Sequence, residues 1–213
     1  MKIKNTFILL MFSIFLSCGQ QAKIDRLIVK GMDYFQQGDI ISALAEFEKI
    51  IKLDDKNADA YEKKADCLDL LGNIEGSIEY YTKAIKIDST KKIAFYNRAL
   101  SFEKLGKIDN VISDYITAIN ADPDNKSELN NKLIYLNLGI VYGQQYRLDN
   151  AIEALSKAIE IDSLYADAFF NRGYAYLLQG KQDKAIENFD KAISIQPENK
   201  DYVTAIEKMI KME

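Results

Sequence analysis

Apolar and small residues recur three and four apart over most of this chain, which is the period of one helix face. The stretch 166–199, ADAFFNRGYAYLLQGKQDKAIENFDKAISIQPEN, shows the pattern most fully. Phe169, Gly173 and Tyr176 mark one amphipathic helix; Ala185, Phe189 and Ala192 mark a second. Gly180 lies between them and suits a C-cap, because glycine accepts the left-handed backbone that ends a helix. Pro197 closes the unit, so the spacing predicts a helical hairpin of 34 residues.

The same offsets recur upstream. Residues 132–165 place Tyr135, Gly139, Tyr142, Ala151, Leu155 and Ala158 there, and 92–125 place Phe95, Ala99, Phe102, Val111, Tyr115, Ala118 and Pro123. Residues 58–91 give Tyr61, Ala65, Leu68, Ser77, Tyr81 and Ala84; residues 24–57 give Leu27, Gly31, Tyr34, Ala43, Phe47 and Ile50. A fixed period of this length is the signature of a stacked array, in which each hairpin needs its neighbours to cover its apolar faces. The aromatic stripes therefore read as core.

The repeats resemble the tetratricopeptide repeat family, whose pattern runs W-x2-L-G-x2-Y, A-x3-F, P. Phe, Tyr or Leu replaces the tryptophan, and alanine replaces glycine at Ala65 and Ala99. Pro123 and Pro197 are the only prolines, so repeats one, two and four are expected to end their second helices less sharply. The resemblance implies an all-α fold: a right-handed α-solenoid of five TPR helical hairpins plus a C-terminal capping helix over 200–213. That helix carries an apolar stripe of Tyr202, Val203, Ile206, Met209 and Ile210. Residues 126–131 interrupt the array. They read either as a loop or as an extension of the next first helix with Ser127 as N-cap; the spacing of Leu129, Leu133 and Leu136 favours the extension.

The N-terminus follows a different rule. Lys2 and Lys4 precede an apolar run over 7–16, too short to span a bilayer but suited to a signal peptide over 1–17. Cys18 follows in FLSCG, which resembles the lipobox of bacterial lipoproteins and implies a lipidated Cys18 on a tether over 18–23. Several acyl chains on one cysteine would give lasting attachment, at about 0.8 kcal/mol per buried methylene. Gly19 after the cysteine leans towards the outer membrane under the sorting pattern of well-studied Gram-negative bacteria. A plain cleavage site with an incidental cysteine is the rival reading.

Composition narrows the chemistry. The chain is 48% hydrophobic and 28% charged, a folded profile. Its net charge of −4, or −6 once residues 1–17 are removed, argues against nucleic acid, whose phosphates need clustered Lys and Arg. The absence of histidine removes Ser-His and Cys-His catalysis and imidazole-ligated metals. No glycine-rich phosphate loop occurs. The reading is of a non-enzyme with no cofactor. Cys67 is expected to be a small core residue without a disulfide partner.

The family resemblance implies that first helices line a groove for peptides or proteins. The residues it places there are Asp59, Glu62, Asp66 and Asp69, an acidic group, and Tyr96, Leu136, Phe170, Tyr174 and Leu177, an apolar group. Asn97, Asn137 and Asn171 share one offset, either as a ladder that holds a peptide backbone or as ordinary exposed polar positions. Where chaperone-tail readers carry a Lys/Asn/Arg carboxylate clamp, this chain has Ile28, Met32, Ile93 and Asn97, so no clamp is expected. The implied partners are proteins or peptides with basic and apolar residues. The expected role is a membrane-anchored scaffold of the bacterial cell envelope; a carbohydrate or peptidoglycan binder and a hydrolase using Asp or Glu are the alternatives.

Overall fold

The computed structural model describes the backbone of residues 2–122, 124–126 and 129–210, and the side chains of 19–122, 124–126, 129–204 and 206. The described residues form eleven α-helices and no strand: α1 (Lys2–Gln36), α2 (Ile40–Leu53), α3 (Ala58–Leu70), α4 (Ile74–Ile87), α5 (Lys92–Lys104), α6 (Ile108–Ala121), α7 (Asn131–Gln144), α8 (Leu148–Ile161), α9 (Ala166–Leu178), α10 (Gln182–Ile195) and α11 (Lys200–Ile210). They run as tandem hairpins, and contacts divide them into unit 1, residues 1–107, and unit 2, residues 108–213.

Close helix approach explains the small residues. A Cβ on Gly31 would meet the Phe47 ring at 2.8 Å, one on Gly139 would meet Leu155 Cγ at 2.5 Å, and one on Gly173 would meet the Phe189 ring at 2.8 Å. Ala65 occupies the equivalent offset in repeat two and is fully buried. In unit 1 the core runs through Ile24, Ala43, Phe47, Ile50, Ala60 and Cys67, then Ala65, Tyr81, Ala84 and Ala94. In unit 2 it runs through Leu136, Leu155, Ala158 and Ala168, then Ala166, Ala192 and Tyr202.

The first helix of the last hairpin ends where Gly180 predicts, and three other first helices also end at a glycine. Gly38, Gly72, Gly106 and Gly180 have φ between 66° and 80°. Gly72 N–H donates to Asp69 O at 3.0 Å and Asn73 N–H to Leu68 O at 2.9 Å, which is the Schellman pairing that satisfies terminal carbonyls. The second helices depart from expectation. Those of repeats one, two and four end as sharply as that of repeat five, at Leu53, Ile87, Ile161 and Ile195. Aspartate does what proline was expected to do: Asp54, Asp88 and Asp162 turn extended, and each carboxylate accepts the N–H two residues on, at 2.9–3.0 Å. Such an Asx-turn competes with another helical turn and stops it.

The insertion is also corrected. Among its described residues 126, 129 and 130 are non-helical, and α7 starts only at Asn131. Asparagines hold the loop in place of the leucine periodicity. Asn125 takes φ 55°, its Oδ1 accepts from Asn131 N–H, and Asn131 Nδ2 donates to Asp122 O at 2.9 Å. Asn130 is the N-cap, accepting from Lys132 N–H; Ser127, expected in that role, lies outside the described residues.

At the N-terminus the stretch expected as a tether is helical. Residues 19–23 are exposed and continue α1, a rise of about 8 Å, before Ile24 enters the core. The side chains of residues 1–18, Cys18 included, lie outside the described ones. Among the described residues no helix is long and apolar enough to cross a membrane. At the other end α11 packs on α10, and Tyr202 stacks on Phe170 with ring centroids 4.8 Å apart. Tyr202 is buried, Val203 is exposed and Ile206 half-buried; Met209 and Ile210 carry no described side chains.

Candidate functional site

The four acidic residues on α3 do come together, but not as a free acidic surface. Asp66 Oδ2 takes Lys63 Nζ at 2.8 Å, while Oδ1 accepts the Tyr81 hydroxyl at 2.7 Å and Asn97 Nδ2 at 3.1 Å. Asp69 pairs with Lys104 at 2.6 Å, and the Ser101 hydroxyl lies 3.1 Å from its other oxygen. Asp59 is exposed and ion-paired to Lys91. Glu62 is only 4% exposed, with Lys91 at 3.5 Å and Lys63 at 3.8 Å. Sequence offsets put the four carboxylates on one helix; they did not show that lysines from the same and the following helices would pair with them.

Glu62 is the least comfortable of the four. Its Oε2 is buried with no hydrogen-bond partner, and burial pushes the carboxyl above its usual range despite the two ammonium groups. Folding therefore favours the protonated form. That contribution is fully present below the unfolded pKa and is lost as pH rises through the raised folded pKa. Glu62→Gln is expected to raise the melting temperature at pH 7, since an amide costs less to bury than a carboxylate. The gain should shrink on acidification; a gain that is constant from pH 7 to 4 would count against this account.

A cavity of 550 Å³ opens beside this network in unit 1. Phe35, Leu70, Tyr81 and Leu100 supply its apolar wall; Asp66, Asp69, Glu103, Lys104 and Asn97 supply the polar one. Leu70 is 60% exposed. Of the groove residues expected from sequence, Asp66, Asp69 and Asn97 line it. Asn97 spends its amide on Asp66 rather than waiting for a ligand. Of the clamp-position residues, Ile28 and Met32 pack on the unit 1 core.

The apolar group expected in the groove separates. Leu136 is core, 7% exposed and packed with Leu155, Ala158 and Ala168. Phe170 is covered by α11 and lies between Tyr202 and Phe189. Leu136 is buried and Phe170 half-buried because first helices bury more than one face when a neighbour sits on each side. Tyr96, Asn137 and Leu177 are half-buried. Tyr174 and Asn171 do line an open cavity, of 320 Å³, between α7 and α9, with Ile140, Gly143, Tyr146 and Leu178. Asn171 Nδ2 donates to Asp167 O at 2.8 Å, one turn back on its own helix.

Tyr146 was missed, and the sequence did hold a signal for it. It occupies the offset of Gly38, Gly72, Gly106 and Gly180, and it takes the same left-handed backbone at φ 55°. A side chain there costs about 1–2 kcal/mol relative to glycine. Its ring is nonetheless 77% exposed. Cys67 has the burial read from sequence: it is fully buried, and burial, then the Asp66 charge, pushes its thiol up to about 12. A buried thiol held protonated is a poor nucleophile at neutral pH. Among the described residues no group of His, Cys, Asp or Glu is arranged to hold a metal ion.

Four family models match the chain: tetratricopeptide repeat models over 28–92, 93–125 and 166–199, and a TPR repeat model over 147–180. The chain belongs to the tetratricopeptide repeat family. Solved structures of this architecture agree. A crystal structure of MamA is similar with TM-score 0.73 and 24% identity, covering 84% of this chain and 95% of that one. YrrB, described as a TPR protein with an unusual peptide-binding site, gives TM-score 0.72 and 23% identity over 85% of this chain and 90% of that one. PilF of Pseudomonas aeruginosa gives TM-score 0.69 and 18% identity over 83% and 78%. At such identities the likeness is one of fold. No curated protein sequence matches the chain.

Proposed function

We propose that this tetratricopeptide repeat protein is a lipid-anchored scaffold of the bacterial cell envelope that binds polypeptide segments and carries out no chemistry of its own. The observation that carries the binding part is the pair of open cavities, 550 Å³ in unit 1 and 320 Å³ in unit 2, both lined by first helices of successive repeats. In unit 1 Asp66 and Asp69 are already held by lysines, and the one described thiol is buried and held protonated, so the groups present suit recognition better than turnover. YrrB's peptide-binding site, on a similar fold, supports the same class of ligand.

Partner chemistry follows from the unit 1 lining. Asp66 is paired with Lys63 and Asp69 with Lys104, and the third carboxylate, Glu103, has no ion-pair partner among the described residues. A segment with a basic side chain flanked by apolar ones complements that balance. The anchor rests on the apolar run over 7–16 and Cys18 after it, and Gly19 leans towards the outer membrane.

The anchor is tested by fractionating cells that express Cys18→Ser, which should move the protein out of the membrane fraction. A protein that stays with the membranes sinks the anchor. The binding part is tested by selecting a displayed peptide library on the full chain in detergent; a selection that enriches nothing sinks that part.

A further inference from the structure

The two cavities differ in one chemical respect. The unit 1 cavity is lined by four charged side chains, whereas not one Asp, Glu, Lys or Arg lines the cavity of unit 2. In a chain of which 28% is charged, an uncharged lining excludes a charged occupant, since an ion seated there would lose water and gain no counterion. The wall is apolar and open: Tyr146 is 77%, Tyr174 41% and Leu178 39% exposed. Gly143 adds room, because a Cβ built on it would meet nothing within 4 Å. A volume of 320 Å³ lies at the small end of ligand clefts and suits one large side chain, not a cofactor.

Tyr146 sharpens the case. An exposed aromatic ring on a left-handed backbone is doubly unfavourable for folding, and the other four hairpins use glycine at that offset. Strain of this kind at a cavity rim points to a ligand, not to stability. Polar groups for a peptide backbone are also at hand. The Gln144 side chain lines the cavity, and Asn171 spends its Nδ2 on Asp167 O, leaving Oδ1 as an acceptor.

We propose that the cavity between α7 and α9 is an anchor pocket for one large uncharged side chain, leucine or aromatic, of a polypeptide partner, with Tyr146 and Tyr174 as its walls. The inference rests on the binding reading above and names the specificity of its second cavity. Tyr146 selects the anchor by ring contact; Gln144 and Asn171 hold the flanking backbone.

The test compares the full chain in detergent with Tyr146→Gly and Gly143→Met, using a displayed random peptide library as the probe. Tyr146→Gly restores the residue the other hairpins carry, so its melting temperature should not fall. Gly143→Met adds a side chain to open space within a helix and should fill the pocket. The expected result is that the wild type enriches peptides with a large uncharged residue, and that both variants bind those peptides at least about tenfold more weakly, as for a buried anchor. Peptides that keep their affinity in both variants, or whose binding depends on charged residues alone, overturn the pocket while leaving the scaffold reading intact. A library that yields nothing overturns both.

Discussion

Asp66→Ala should destabilise unit 1 by about 3 kcal/mol, the cost of breaking one partner out of a largely buried charge network. The magnitude follows from what the carboxylate touches. It sits on α3, accepts from Tyr81 on α4 and from Asn97 on α5, and pairs with Lys63 one turn away. One side chain thus ties three successive helices together. Its loss would strand the Tyr81 hydroxyl, whose own ionisation burial already suppresses, and leave the half-buried Lys63 without its close partner. Asp59→Ala is the control. Asp59 is exposed, and pairs of that kind contribute at most about 1 kcal/mol. Urea denaturation followed by circular dichroism separates them: equal midpoints for the two variants would mean that Asp66 is a surface group after all.

Tyr202→Ala should cost about 3 kcal/mol in unit 2, in the range for removing a buried aromatic ring. The ring of Tyr202 is 5% exposed, stacks on Phe170 and closes the cluster that contains Ala166 and Ala192. Its hydroxyl donates to Asp167 at 2.5 Å, so α11 is fastened to α9 by polar and apolar contacts together. Tyr202→Phe keeps the stack and should lose only about 1 kcal/mol, the net worth of one hydrogen bond. Hydrogen exchange at the amides of α9 and α10 reads the effect directly. If those amides exchange as slowly in Tyr202→Ala as in the wild type, α11 is not the cap of this unit.

Both expectations concern residues whose type was legible but whose surroundings were not. Periodicity was enough to find the hairpins, though not where each helix starts and ends, because a helix that buries one stripe must repeat apolar residues at 3.6 positions. Gly180 marked the turn of the last hairpin, since few other residues take φ near 70° at no cost. The offsets also carried two signals that went unread: aspartate ending the second helices, and tyrosine standing where the other repeats have glycine. Neither needs tertiary information, only comparison of each position with its counterparts.

Other features could not be read along the chain. Leu136 and Phe170 share the helical face of Tyr174, yet the first two are covered and the third is open. Burial depends on which neighbour lies opposite, and sequence period is silent about that. The acidic group on α3 looked like a surface for cations until Lys91 and Lys104, supplied from 32 and 35 residues away, took two of its members. Sequence alone determined that this chain is a run of helical hairpins, because helix period and turn chemistry are local properties. Only the tertiary structure decided which carboxylates remain unneutralised and which aromatics remain uncovered, because charge pairing and burial are set by residues distant in the chain that folding brings within a few ångströms.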